Sequence, residues 1–146
     1  TTQAIGADKV GIRLSPDGAF NGTGPFPDVE LHYLALVVQL SALKLMYVHV
    51  LDHSAMGSPP VPTELKQKLR DSFNGPFILA GGFDQASAEK ALVEKRADLI
   101  AFGRPFLANP DLVKRFQSGA ALNAPDMASF YTADATGYTD YPALSA

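Results

Sequence analysis

Apolar residues fall into two alternating rhythms along this chain. Four short runs are almost continuously apolar: 9–15 (KVGIRLS), 45–51 (LMYVHVL), 76–80 (PFILA) and 98–102 (DLIAF). None has the strict in–out alternation of a strand with one wet face. Each is therefore predicted to be a strand covered on both sides, as in a parallel sheet. The stretches between them keep helical time. Residues 28–44 carry Val29, Leu31, Leu34, Leu36, Val37, Leu40 and Leu43, mostly at helical spacing. Residues 63–73 form a weaker helix with Leu65 and Leu69 one turn apart. In 85–95, Ala88, Ala91 and Leu92 share a face and Asp84 is placed to cap the first turn. Asn109-Pro110-Asp111 combines a capping side chain, a first-turn proline and an acid at the positive helix end, so a helix is expected from there to Gln117, stopping at Gly119. A last short helix is expected over 126–131.

The predicted order is βαβαβαβα followed by a tail over 120–146. Strands alternating with helices at this spacing imply a parallel sheet with right-handed crossovers. Two architectures satisfy that order: an open doubly wound sheet, or part of a (β/α)8 barrel. The loops 16–27 and 54–62 are rich in Gly and Pro and both follow strands, on what would be the functional face of a barrel. A full barrel takes about 250 residues, whereas this chain has 146. Four βα units alone leave two open parallel edges, which invite pairing. A barrel reading therefore requires a second half from another chain, from self-association or from further sequence.

Composition narrows the function classes. Charged residues make up 18% of the chain and the net charge is −3, without the basic patch that nucleic acid requires. The absence of Cys removes disulfides and thiolate chemistry. No apolar run approaches the ~20 residues that span a bilayer. Thr1-Thr2-Gln3-Ala4 does not open a basic-then-apolar leader, so a cytoplasmic setting is expected.

Candidate chemistry gathers at strand ends. The third strand ends Ala80-Gly81-Gly82-Phe83 and the fourth ends Ala101-Phe102-Gly103-Arg104. Adjacent glycines can present backbone N–H groups to an anion, and an Arg fork suits phosphate. The loops after the last two strands are the usual phosphate site of such barrels. The competing reading is a tight turn and a surface Arg. Arg13 interrupts an apolar strand, and a buried charge needs a partner. That partner is either an anionic ligand in a barrel lumen or a structural carboxylate. His32 reads as a surface residue on a helix, His49 as a mid-strand residue that is either a core histidine or lumen-facing, and His53 as a strand-end residue beside Asp52, either structural or facing substrate. Their spacing has no metal signature. No nucleophile elbow, dinucleotide fingerprint or Walker sequence occurs. The aromatic tail, Phe130-Tyr131 and Gly137 to Pro142, is either a structural clasp or a substrate border with Tyr131 as its best candidate.

These segments also resemble a known family. Gly11-Ile12-Arg13-Leu14-Ser15-Pro16 resembles the fifth barrel strand of old yellow enzymes, and Ala80-Gly81-Gly82-Phe83 is similar to their seventh-strand turn. The run from Ala101 to Leu112 resembles their eighth strand and helix, and Ser129-Phe130-Tyr131 and Gly137-Tyr138-Thr139-Asp140-Tyr141-Pro142 resemble their tail. The resemblance implies the C-terminal half (strands 5–8) of a (β/α)8 TIM barrel, completed by an N-terminal half-barrel chain. It implies FMN as cofactor, NAD(P)H as reductant and a small enone as substrate. By position, Arg13 would lie by the flavin ring. Gly81, Gly82, Phe83, Gly103 and Arg104 would hold the phosphate, and Tyr131 would border the substrate. Relatives draw further flavin contacts, their substrate-activating His/Asn or His/His pair and their proton-donating Tyr from the first four strands. No segment here matches those, so no catalytic residue is expected in this chain. The alternatives are a half-barrel that binds FMN or phosphate without catalysis, and a different phosphate-binding TIM-barrel enzyme.

Overall fold

A computed structural model describes residues 1–20 and 22–144. Residue 21 of the 16–27 loop and residues 145 and 146 of the tail lie outside the described residues. The contact pattern divides the chain into two compact units, Thr1–Ala101 and Phe102–Ala146.

The first unit opens with a short helix α1 (Thr2–Ile5) and a 3-10 turn (Ala7–Lys9), neither of which has an apolar period. The predicted strands and helices follow: β1 (Gly11–Leu14), α2 (Val29–Ala42), β2 (Tyr47–Leu51), α3 (Thr63–Asp71), β3 (Phe77–Ala80), α4 (Gln85–Val93) and β4 (Leu99–Ala101). All neighbouring strands pair in parallel, in the order β1-β2-β3-β4. A doubly wound sheet reverses its strand order at a switch point. This sequential order has no reversal, so of the two architectures it supports the barrel-type arrangement.

Register sorts the strand residues onto two faces. Ile12, Leu14, Val48, Val50, Phe77, Leu79 and Ile100 share one face. There they meet Val37 and Leu40 of α2 and Leu65 and Leu69 of α3 in one core. The opposite face carries Arg13, Tyr47, His49, Leu51, Ile78, Ala80, Leu99 and Ala101. Its coverage is poor: Arg13 is exposed and Leu99 is 55% exposed. The strands therefore differ from the sequence expectation of burial on both sides. The apolar character is present on both faces, but only one face has helices to cover it. Arg13, expected in a strand interior, is exposed for the same reason.

Local signals account for some element ends. Asp84 caps α4 reciprocally with Ser87: the Ser87 N–H donates to Asp84 Oδ1 at 2.8 Å and the Asp84 N–H donates to Ser87 Oγ at 3.0 Å.

The second unit contains α5 (Arg104–Ala108), α6 (Leu112–Ser118) and a 3-10 turn (Met127–Ser129) capped by the Asp126 side chain. The last of these replaces the helix expected over 126–131. Gly119 ends α6 in the left-handed conformation, as its position predicts. Asn109 does not cap α6. Fully buried, it donates to the Pro105 carbonyl at 2.8 Å and accepts from the Asn123 N–H at 2.7 Å. Arg115, also buried, donates from Nε to Asp111 at 2.7 Å and from Nη2 to the Pro142 carbonyl at 2.9 Å. Asn123 reaches the same carbonyl at 2.8 Å. The tail is thus fastened to α6 at the Pro142 carbonyl.

Candidate functional site

Because the four strands run the same way, their C-terminal ends form one rim of the sheet. Arg13 stands one residue before the end of β1 and points from the uncovered face. It makes no ion pair or hydrogen bond among the described residues, so the structural-carboxylate alternative has no partner there.

At the end of β2, Asp52 is buried and collects three donors. These are Lys66 Nζ at 2.8 Å, the Ser54 N–H at 2.9 Å and the Val61 N–H at 3.3 Å. Burial pushes its pKa up, but the hydrogen bonds from Lys66 and Ser54 together outweigh that and hold it below the ordinary carboxylate value. This anchor folds the 52–62 loop back over the strand end. Its neighbour His53 keeps Nδ1 buried without a partner, and its ring meets the edge of Phe20 at 6.4 Å. The Ala19 N–H donates to Ser58 Oγ at 3.1 Å, which ties the loops after β1 and β2 together. The Asp52–Lys66 pair was missed in the sequence, although an acid at the end of an apolar run was a usable signal.

The two glycines after β3 differ. A side chain on Gly81 would overlap the backbone carbonyl of Asp52, and its φ is +107°, so the fold itself demands glycine there. Gly82 has φ +69°, but a Cβ on it would meet only Ala55, at 4.0 Å. The space above Gly82 is open, and no carbonyl or side chain of the described residues accepts from the Gly81 or Gly82 N–H. Phe83 turns back to pack against the core. Ala80 and Ala101 are register partners, so the chain leaves β3 and β4 from adjacent points of the rim.

In the second unit, Gly103 precedes α5 with open space where a Cβ would lie. Arg104 is half-buried and forms no ion pair among the described residues. Tyr131 is 95% exposed, and its ring stands edge-on to Phe130 with centroids 6.5 Å apart. His32 is exposed, with Nδ1 2.8 Å from the Asp28 carbonyl. Among the described residues no three His, Asp or Glu side chains converge on a metal position, and no helix is long and apolar enough to cross a membrane. An open depression of about 780 Å³, lined by Arg70, Phe73, Gly75, Lys95 and Asp98, lies where β3 and β4 begin, at the end of the sheet away from this rim. Its Arg70–Asp98 pair and the Phe77 N–H bond to Asp98 are structural.

The family model described as NADH:flavin oxidoreductase / NADH oxidase matches residues 1–123. The chain belongs to the old yellow enzyme family. Within this family it is similar to 12-oxophytodienoate reductase 2 of Arabidopsis thaliana, at 41% identity over 143 residues, covering 96% of this chain and 38% of that protein. A 12-oxophytodienoate reductase-like protein of Solanum lycopersicum is 44% identical over 144 residues, covering 96% and 37% respectively. The solved structure of morphinone reductase superposes with a TM-score of 0.90 at 38% identity, covering 98% of this chain and 38% of that one. Morphinone reductase in complex with tetrahydroNAD gives 0.88, also at 38% identity, covering 99% of this chain and 38% of that one. The old yellow enzyme chain described here thus spans well under half the length of these relatives.

Proposed function

We propose that this chain is the C-terminal half of an FMN-dependent ene-reductase barrel and supplies the phosphate side of the flavin site. The observation that carries the proposal is the poorly covered sheet face, apolar except for Tyr47, His49 and one cation, Arg13, that has no counter-ion among the described residues. A four-stranded parallel sheet in sequential order, open at both edges, is half of an eight-stranded ring. The relatives are long enough to supply the other half in one polypeptide, and here an N-terminal half-barrel chain is the proposed partner.

The residues fit an anionic cofactor. Among the described residues Arg13 is unpaired and the Gly81 and Gly82 N–H groups are unclaimed, and Gly82 and Gly103 leave room for close approach. The proposal assigns the FMN phosphate to Gly81, Gly82 and Phe83 and, from the second unit, to Gly103 and Arg104. It assigns Arg13 to the ring, where a fixed positive charge favours the reduced, negatively charged state. Tyr131 is assigned to the substrate border, for which its exposure leaves it free. When bound, FMN supplies hydride transfer from NAD(P)H to the β-carbon of an enone. This chain's residues bind and orient, while polarisation and protonation of the substrate fall to the N-terminal half. A cytoplasmic setting without membrane or nucleic-acid partners belongs to the same reading.

The test uses the purified chain with FMN, NADPH and cyclohexenone. The chain is expected to retain flavin but to show no turnover until an N-terminal half-barrel is added. Clear turnover by the chain alone would refute the missing half, and failure to retain any flavin would refute the phosphate site.

A further inference from the structure

Arg13 and His49 are register partners on adjacent parallel strands and lie on the same uncovered face. Across the sheet their row continues through Ile78 and Leu99, which offer no polar atom. His49 Nε2 is buried without a hydrogen-bond partner, and the Arg13 guanidinium has no acceptor among the described residues. A buried, unpartnered ring nitrogen and an exposed, unpartnered guanidinium thus belong to register partners on neighbouring strands. Leaving the buried nitrogen unmet is costly, whereas a guanidinium N–H donated to it would satisfy it.

We propose that His49 is a positioning residue for Arg13: its Nε2 accepts one guanidinium N–H and so turns the remaining N–H groups toward an anionic ligand above the C-terminal rim. The inference rests on the FMN reading above and deepens it. The groups facing His49 are Arg13 from β1, Ile78 from β3, and Tyr47 and Leu51 on its own strand. No carboxylate is among them. Burial first, and then the charge of Arg13, hold the His49 pKa below its ordinary value. The ring is therefore neutral at pH 7 and keeps a lone pair to accept with. A protonated ring there would have no acceptor to offer and would repel Arg13.

The test follows His49 by histidine-selective 15N NMR across pH, and FMN binding by flavin fluorescence, in the chain as it stands. Arg13→Ala is expected to raise the His49 pKa, because a repelling charge is gone. It should also weaken FMN binding by about tenfold, the scale of one charge-assisted hydrogen bond. His49→Leu should weaken binding about as much, and the double variant little further, because the two residues act as one unit. His49→Gln should stay within about twofold of the parent, since its longer amide brings an oxygen near the Nε2 position. Parental affinity in His49→Leu, or losses that multiply in the double variant, would overturn the proposal. If His49→Leu does not fold, His49→Asn against His49→Gln makes the same comparison, and equal affinity of the two overturns it. If the parent chain itself retains no FMN, the functional reading fails. The positioning inference is then decided by NMR alone, where a His49 titration indifferent to Arg13→Ala overturns it.

Discussion

Phe77 and Ile78 are neighbours in one strand and face opposite ways. Phe77 is fully buried among Val48, Leu65 and Leu69, in a core closed by two helices. Ile78 is only half-covered, in a row with Arg13, His49 and Leu99. Both are equally apolar. The difference teaches that a strand's composition alone does not tell which of its two faces is covered: the covering helices α2 and α3 decide that. The covered face holds the core, and the proposed function rests on the other one.

The comparison breaks first at Phe77. Phe77→Ala should cost about 3–5 kcal/mol, through lost transfer energy and the cavity left behind. A urea titration with a shifted midpoint and an unchanged slope checks it. A cost below about 1 kcal/mol, the level of an ordinary surface change, would mean that the covered face is not where the stability lies.

The next effect is at the rim. Lys66→Met leaves the buried Asp52 carboxylate with only its backbone donors. We expect a loss of about 2 kcal/mol at pH 7, below that of a fully buried pair because Lys66 is partly exposed. The pH dependence follows from the depressed pKa of Asp52. Its contribution is present in full above the unfolded value of about 3.9 and is lost as pH falls through the folded value. Lys66→Met should therefore flatten the stability profile below about pH 4; urea midpoints at pH 3, 4 and 7 measure this, and parallel profiles for the two proteins would remove the pair from the account.

A ligand effect comes third. Arg104→Ala should weaken FMN retention about tenfold, by loss of a charge-assisted phosphate contact, with the urea midpoint unchanged. Flavin content after dialysis reads it, and equal content in both proteins would count against the assignment of Arg104.

How much of this was legible beforehand depends on where the deciding interaction lies along the chain. The four strands were legible because their apolar runs are local. The α4 cap and the α6 stop were legible because Asp84, Ser87 and Gly119 act within one turn. Asn109 misled for the opposite reason. Its local context spells a cap, but Asn123, fourteen residues on, takes its side chain. Gly81 was read as a possible ligand contact, and the structure adds a second cause, the Asp52 carbonyl beside it, which no local pattern could reveal. The helix at 104–108 was absorbed into the strand-end motif because five residues hold too little period to detect. Arg13 shows both limits at once: its strand was legible, while its exposure depends on which sheet face the helices cover.

The smallest effect sharpens the comparison most. Leu99 lies at the outer edge of the row that contains Ile78, and it is 55% exposed. In the isolated chain Leu99→Ser removes little buried area, so the stability read from urea titration should change by no more than about 0.5 kcal/mol. In a completed barrel the same side chain would lie in the lumen against the N-terminal half, and its loss would then be felt as a core truncation of about 2 kcal/mol or more. Measuring Leu99→Ser with and without an added N-terminal half therefore turns one substitution into a probe of coverage. A growing penalty on addition marks the face as half of a closed interior, while an unchanged small penalty in both states means that this face stays open to water, and the barrel reading falls with it.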